Sequence, residues 1–245
     1  MDNTLLVSLS QQIASYRSMD VIANNLANAD TPAFKRESAT FQECVEQMQP
    51  AEGETGSQPV SFVKDAGTAR DLSQGHMSVT NSQFDFAING KGYFTIQTAN
   101  GPRYTRNGHF TMDGAGRLTT QDGGALQGDG GDVAVAPEDG DIHVAADGTI
   151  SGLKGQIGKL KLVDFDDDSA LVKQGSSLYS TTQQSKDVET PSIQQGAIEA
   201  SNVQPVIEIS HMIQVMRAYQ ATANLTQSQE DLMRNAIDKL SGSQN

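Results

Sequence analysis

Asp164-Phe165-Asp166-Asp167-Asp168 packs four carboxylates into five residues, a density that suits a hard cation with oxygen ligands. A calcium loop counted from Asp164 needs glycine at its sixth position and glutamate at its twelfth. The chain has Ser169 and Gly175 there, so the run reads as an acidic turn. Asp129-Gly130-Gly131-Asp132 reads as a tight turn on similar grounds. His76, His109, His143 and His211 fall in no H-E-x-x-H or Cys/His pattern and are expected as isolated surface or strand residues. Gly90-Lys91 and Gly158-Lys159 do not complete a G-x-x-x-x-G-K-[ST] phosphate loop, and there is no G-x-S-x-G nucleophile elbow. Catalytic, cofactor-binding and metal-ligating residues are therefore all expected to be absent, no cofactor is implied, and the chain is not expected to be an enzyme. The single cysteine, Cys44, cannot form an intramolecular disulfide and is expected as a buried small residue.

One polar cluster is more specific. Asn24-Asn25-Leu26-Ala27-Asn28-Ala29-Asp30-Thr31-Pro32 gathers amides where a helix should stop. Asparagine is a mediocre helix former whose short amide bonds free backbone groups at a helix end. The same amides also suit packing against other backbones across a subunit contact.

The elements that would position this cluster follow from periodicity. From about Asn3 to Asn28, Leu5, Leu9, Gln12, Tyr16, Met19, Ala23 and Leu26 alternate in steps of four and three, an a/d seam with Gln12 as its polar intruder. Thr31-Pro32 ends the pattern, because proline disfavours helical geometry in the preceding residue. From about Pro205 to Leu240 the spacing recurs through Met212, Met216, Tyr219, Ala223, Thr226, Glu230, Met233, Ile237 and Leu240, broken only by Thr226 and Glu230. Helices with so narrow a stripe draw their stability from packing, and each is the obvious partner of the other. Between them the chain is punctuated by Gly, Asp and Asn. Asn89-Gly90, Asn100-Gly101, Asn107-Gly108, Asp113-Gly114, Asp122-Gly123, Asp139-Gly140 and Asp147-Gly148 mark turns between short strands, with Asn89-Gly90 expected to close a hairpin. The stretch 49–58, rich in Glu, Gly, Pro and Ser, reads as a linker. The expected class is α+β: terminal helices paired as a coiled-coil-like inner domain, and a central antiparallel β-rich domain. The expected boundaries are 1–33 and 203–245 for the inner domain, 34–71 and 180–202 for an extended connector, and 72–179 for the β domain.

Composition narrows the function classes. The chain has 245 residues, 5% aromatic, no tryptophan and a formal net charge of −13. So few aromatics argue for several small cores and for apolar surface buried between subunits. The acidity has the wrong sign for a non-specific nucleic-acid binder. No stretch approaches the ~18 apolar residues of a membrane span, and the N-terminus lacks the pattern of a cleavable signal, so neither nucleic acid nor membrane insertion is expected. Residues alone would suggest a cytoplasmic protein.

Five separated stretches resemble a known family. Asp20 to Lys35 is similar to the N-terminal signature of the flagellar rod and hook proteins, which reads approximately ANN[LI]AN followed by N-T-x-G-[FY]; here Asp30 replaces the usual Asn and Ala33 the usual Gly. Alanine makes a positive φ less easy, so the turn is expected to differ locally. Gln83 to Phe94 resembles the family's "lDLAIdGdGFF" strand pair, and Tyr104 to Phe110 its "YTRdGsF" motif. Gly196 to Val203 resembles "G-x-L-E-x-S-N-V", and Met212 to Tyr219 resembles "MI-x-x-x-RAY". The matches come in family order and span nearly the whole chain. Hook members carry larger middle regions, which leaves rod members; Val60 to Leu72 resembles the connector of proximal-rod members, and distal-rod members are the nearest alternative.

The resemblance implies a structural subunit of the rod in the flagellar basal body. It implies terminal helices lining a channel and a β-rich outer domain. It implies export unfolded by the flagellar type III apparatus and assembly in the periplasm, which replaces the cytoplasmic expectation. Its partners would be other rod proteins in a helical axial assembly, which head-to-tail contacts extend without closing. The residues expected at subunit contacts are Leu5, Leu9, Tyr16, Met19 and Leu26 with Ile209, Met216, Tyr219, Met233 and Ile237, while Asn24, Asn25 and Asn28 would fix the exit from the inner domain. Two other classes remain open: a β-rich binding module that dimerises through its helices, and a secreted enzyme, which would need a convergent polar site.

Overall fold

The computed structural model describes residues 3–48 and 58–242. It is α+β, with one helix at each end and strands between them. Contacts group the chain into two units. One holds the residues up to Ala27, 37–71 and those from Gln204 on; the other holds 28–36 and 72–203. Of the expected connector, 37–71 groups with the helices, and 34–36 and 180–202 with the strands. Of the expected linker 49–58, residues 49–57 lie outside the described residues, as do the outermost residues of the expected inner domain, 1–2 and 243–245.

In the first unit, α1 spans Asn3–Ala27 and α2 spans Pro205–Gly242. Neither has a proline or glycine in its interior, and Pro205 opens α2 where its missing N–H is not needed. At 1.5 Å per residue they are about 37 and 57 Å long. They pair antiparallel. Asn25 Nδ2 donates to Glu208 Oε2 at 3.1 Å, and Gln12 Nε2 to Thr226 Oγ1 at 3.4 Å. The polar intruder of one stripe therefore meets a polar break of the other.

The helices use their apolar stripes only in part: Gln12 and Met19 of α1 and Met212, Tyr219, Ala223 and Thr226 of α2 are half-buried. On α1 the buried residues are Ser8, Ala14, Ser15, Val21, Ile22 and Asn25, largely a heptad offset from the stripe, whereas Leu5, Leu9, Tyr16 and Leu26 are exposed. Small side chains let neighbouring backbone come close, and part of that neighbour is a ribbon the periodicity did not announce. Strands β1 (Glu37–Met48) and β2 (Gln58–Arg70) form a long antiparallel hairpin with a register shift between Thr40 and Phe41. It is fastened to α1 by the Arg17–Asp65 pair at 3.2 Å. A two-stranded ribbon covers one face only. Cys44, opposite Phe62 in the register, is exposed rather than buried as expected.

The second unit is antiparallel throughout. Its main sheet runs through Val172–Lys173, Tyr179–Ser180, β6 (Gly101–Thr105), β5 (Tyr93–Thr98), Ala125–Gly128, Leu118–Thr119 and Thr111–Met112. The signals at Asn100-Gly101, Asp113-Gly114, Asp122-Gly123 and Asp147-Gly148 close hairpins. Asn89-Gly90 does not. β4 (Phe86–Ile88), buried at all three residues, pairs with Ile193–Gln195 instead of β5. β3 (Met77–Val79) pairs with Ala197–Glu199 in the same way. Phe86, Ile88, Phe94, Ile96, Phe110, Leu118, Leu126 and Ile150 centre the main core. The acidic run at 164–168 ends in a short 3-10 turn capped by Asp167, whose Oδ1 accepts from the Ser169 N–H at 2.9 Å.

Candidate functional site: a buried carboxylate clasp and an outward apolar stripe

The strongest electrostatic feature lies at the end of the strand Ala197–Glu199. The Glu199 side chain is fully buried. Its Oε1 accepts from Lys35 Nζ at 2.5 Å and from the Gly75 N–H at 3.0 Å, and its Oε2 accepts from Arg106 Nε at 2.9 Å. The cations are enclosed as well, with side chains 3% exposed for Lys35 and 9% for Arg106. Each has backbone acceptors too. Lys35 Nζ donates to Ser73 O at 2.7 Å, and Arg106 Nη1 and Nη2 donate to Gly92 O at 3.1 Å and Gly90 O at 2.7 Å. Burial pushes the Glu199 carboxyl up, but Arg106, Lys35 and the Gly75 N–H together hold it below the usual carboxylate range. Gly75 must stay close: a Cβ there would come within 1.9 Å of the Ala200 carbonyl oxygen.

Around this carboxylate, segments far apart in sequence are sewn together. Ala33 N donates to Glu199 O at 2.8 Å, Asn202 N to Phe34 O at 3.3 Å, and Arg36 N to Asn202 Oδ1 at 2.7 Å. Residues 28–36 therefore form an added strip of the β unit, although both flanking segments belong to the helical one. Phe34 is buried with Lys173 Nζ over its ring at 4.4 Å, and Ser177 Oγ donates to Pro32 O at 3.4 Å. Ala33 itself has φ +56°. The local change expected from alanine does not occur: the chain keeps the left-handed turn and accepts the Cβ strain.

A second lock lies within the helical unit. Asn25 is fully buried. Its Nδ2 donates to Glu37 O at 2.7 Å as well as to Glu208, and its Oδ1 accepts from the Glu37 N–H at 2.9 Å. The amide reproduces both bonds of a β bridge to Glu37, closing the base of the loop that leaves α1 and returns as β1. Glu208 is also fully buried, in the first turn of α2, where a carboxylate complements the helix dipole.

Three family models match the chain in order: "Flagella basal body rod protein" over residues 5–35, "Flagellar hook protein FlgE/F/G D1 domain" over 87–152, and "Flagellar basal body rod FlgEFG protein C-terminal" over 194–239. The flagellar basal-body rod protein FlgF of Caulobacter vibrioides is 42% identical over 243 residues, 98% of each chain. FlgF of Mesorhizobium japonicum is 34% identical, again over 98% of each. FlgG of Buchnera aphidicola subsp. Schizaphis graminum is 32% identical over 94% of this chain and 97% of that one. The chain belongs to the flagellar basal-body rod protein family. Within the rod family the FlgF kind is the better match, and the FlgG alternative is not.

The rod-family motifs meet at the clasp. Lys35 closes the N-terminal signature, Gly90 and Gly92 lie in the strand pair, Arg106 in Tyr104-Thr105-Arg106, and Glu199 in Gly196 to Val203. Spacing within each stretch gives those charges no role, because their partners lie in other stretches. Two cations and one acid, each inside a separate motif, were the available signal. Of the residues expected at subunit contacts, Leu5, Leu9, Tyr16, Leu26, Ile209, Met216, Met233 and Ile237 are exposed on their helices, and Met19 and Tyr219 are half-buried. Asn24 is exposed, and Asn28 accepts from Thr31 Oγ1 at 3.2 Å in the β unit. Asn25 is committed within its own chain, so its amide is not free for a neighbour. His109, expected to be isolated, has Nδ1 2.7 Å from Asp85 Oδ1. Among the described residues, no cluster of three or more potential ligands could hold a metal, and no helix is long and apolar enough to cross a membrane.

Proposed function

We propose that the chain is a structural subunit of the proximal part of the flagellar rod, packing into a helical axial tube through the outward faces of α1 and α2. The observation that carries this is the position of the apolar stripe. Leu9 and Tyr16 are 52% and 61% exposed, yet they continue the spacing that a helical partner would fill. A monomer that leaves these stripe residues in water is built for further association. Leu5, Leu26, Ile209, Met216, Met233 and Ile237 extend the stripe, with Met19 and Tyr219 at its edge. The stripe and the surfaces it meets differ, so the contacts are heterologous and extend a filament.

On this reading the role is mechanical, not catalytic. Asn25 fixes the chain's exit from α1, and the Glu199 clasp holds the crossing segment 28–36, so load has short, hydrogen-bonded paths. Other rod proteins are the partners, and export by the flagellar type III apparatus, followed by assembly in the periplasm, completes the route. Swimming and basal-body composition test the proposal in cells that express only a Leu9→Ser/Tyr16→Ser double variant. The monomer should keep its helix content by circular dichroism, while rods lack the subunit and motility is lost. Normal swimming, or a monomer that unfolds, would overturn it.

A further inference from the structure

A cavity of about 250 Å³ opens in the β unit beside the signature segment. Pro32 and Phe34 of that segment line it, together with Ser176 and Ser177. A cavity of ~150 Å³ holds a benzene ring, so this one takes a somewhat larger molecule. Its wall is tied into one row. Ser177 Oγ donates to Pro32 O at 3.4 Å, and Thr105 Oγ1 to Ser177 O at 2.7 Å. The Asn107 N–H donates to Thr105 Oγ1 at 3.0 Å, and the His109 N–H to Asn107 Oδ1 at 3.0 Å. Lys173 stands at the Phe34 end of this row, with Nζ over that ring, and His109 stands at the other.

Backbone strain gathers at the same place. Among the described residues, the non-glycines with positive φ are Ala33, Asn81, Ser176 and Ser177. Ser176 and Ser177, at +49° and +57°, line the cavity, and Ala33 lies between two residues that do. The Leu178 N–H donates to Gly175 O at 2.8 Å, which closes a tight turn with the two serines at its centre. Asparagine and glycine take that conformation at less cost. Strained residues persist only where their surroundings over-determine them, and they collect at ligand sites.

The polar groups of the wall differ in kind. Lys173 and the hydroxyl of the exposed Ser176 offer donors. Asn107, whose Oδ1 is taken by the His109 N–H, adds its Nδ2 as a third. At the far end, His109 Nδ1 lies 2.7 Å from Oδ1 of the buried Asp85, and a carboxylate can only accept. Nδ1 therefore carries the proton of the neutral ring, and Nε2 is left as an acceptor. The exposed Asp122 is a second acceptor. An anion with acceptors alone, such as phosphate, would set an oxygen against the Nε2 lone pair. A neutral sugar would make no use of the Lys173 charge. A molecule with a carboxylate and a hydroxyl meets both.

We propose that this cavity binds a small hydroxylated carboxylate, a sugar acid or a hydroxy acid. The carboxylate sits on Lys173 and Ser176, and a hydroxyl donates to His109 Nε2. The site uses no residue of the helical unit, so it stands apart from the reading of the chain as an axial subunit.

The test uses the full chain and ligand-observed saturation-transfer spectra, which read weak binding to a protein of any size. Glucuronate and malate are the probes; glucose lacks their charge and succinate their hydroxyl. At least one probe should saturate, with glucose and succinate binding at least tenfold more weakly. Lys173→Met should weaken binding at least tenfold. Ser176→Gly should weaken it at least threefold while Tm stays the same or rises, because glycine relieves the turn but brings no hydroxyl. A residue with only a structural role would not separate those two readings. No saturation by either probe overturns the proposal, and so does binding that glucose or succinate matches. Binding left unchanged by a folded Lys173→Met variant overturns it too, and Ser176→Gly decides if that variant does not fold.

Discussion

Replacing Glu199 by glutamine keeps the shape of the side chain and removes its charge. An amide can turn its oxygen toward Lys35 and the Gly75 N–H, but its NH₂ then faces Arg106 Nε, donor against donor. Removing one partner of a buried ion pair costs about 3–5 kcal/mol, because the remaining charge stays in low dielectric. Here the lower end applies, since Lys35 keeps Ser73 O and Arg106 keeps Gly90 O and Gly92 O. A loss of about 3 kcal/mol in a β unit of this size lowers Tm by roughly 6–12 °C. Acid supplies a second signature. The folded Glu199 carboxyl lies below its unfolded value of about 4.3, so its stabilisation is fully present above that pH and is lost as pH falls through the folded value. Scanning calorimetry of wild type and Glu199→Gln at neutral pH and near pH 3 reads both effects. The gap should be wide at neutral pH and narrow in acid. A neutral-pH difference below about 1 kcal/mol, or a gap that does not change with pH, would refute the account of the clasp as a net-stabilising ionic junction.

Two further predictions concern the signature segment. Asn25→Ala removes three hydrogen bonds, one of them to the buried Glu208 carboxylate, and should destabilise the helical unit by about 2–4 kcal/mol. Thermal unfolding followed by the helix signal measures this, and a loss under about 1 kcal/mol would show that the loop base closes without the amide. Ala33→Gly should be nearly neutral: relief of about 1–2 kcal/mol of left-handed strain is offset by the lost burial of a methyl, about 0.8 kcal/mol, and by the greater freedom of unfolded glycine, about 0.5–1 kcal/mol. A change beyond about 2 kcal/mol in either direction on denaturant titration would show that one of these terms has been misjudged.

The elements were legible because they rest on local physics. The four/three stripes, the breaker at Pro32 and the opening Pro205 mark α1 and α2 to within a few residues. Four Asn-Gly or Asp-Gly pairs mark real hairpins, since those residues take the required turn whatever surrounds them. Asn89-Gly90 misled because strand partners are chosen over distance, and β4 finds Ile193–Gln195, a hundred residues on. The hairpin of β1 and β2 went unannounced for a related reason: its strands are half-exposed and mixed in polarity, so the alternation that signals a buried strand is faint.

By itself, then, the sequence determined the helix–strand–helix order, the turn chemistry and the family, all of which depend on residues close together in the chain. Only the tertiary structure decided which side of each helix is covered, and on α1 it left Leu5, Leu9, Tyr16 and Leu26 outward because small residues packed beside a β ribbon filled the inner face. Only the tertiary structure brought Lys35, Arg106 and Glu199 onto one carboxylate across 164 residues of chain. A charge can be buried only where its partners converge, and convergence is a property of the folded topology that local spacing does not carry.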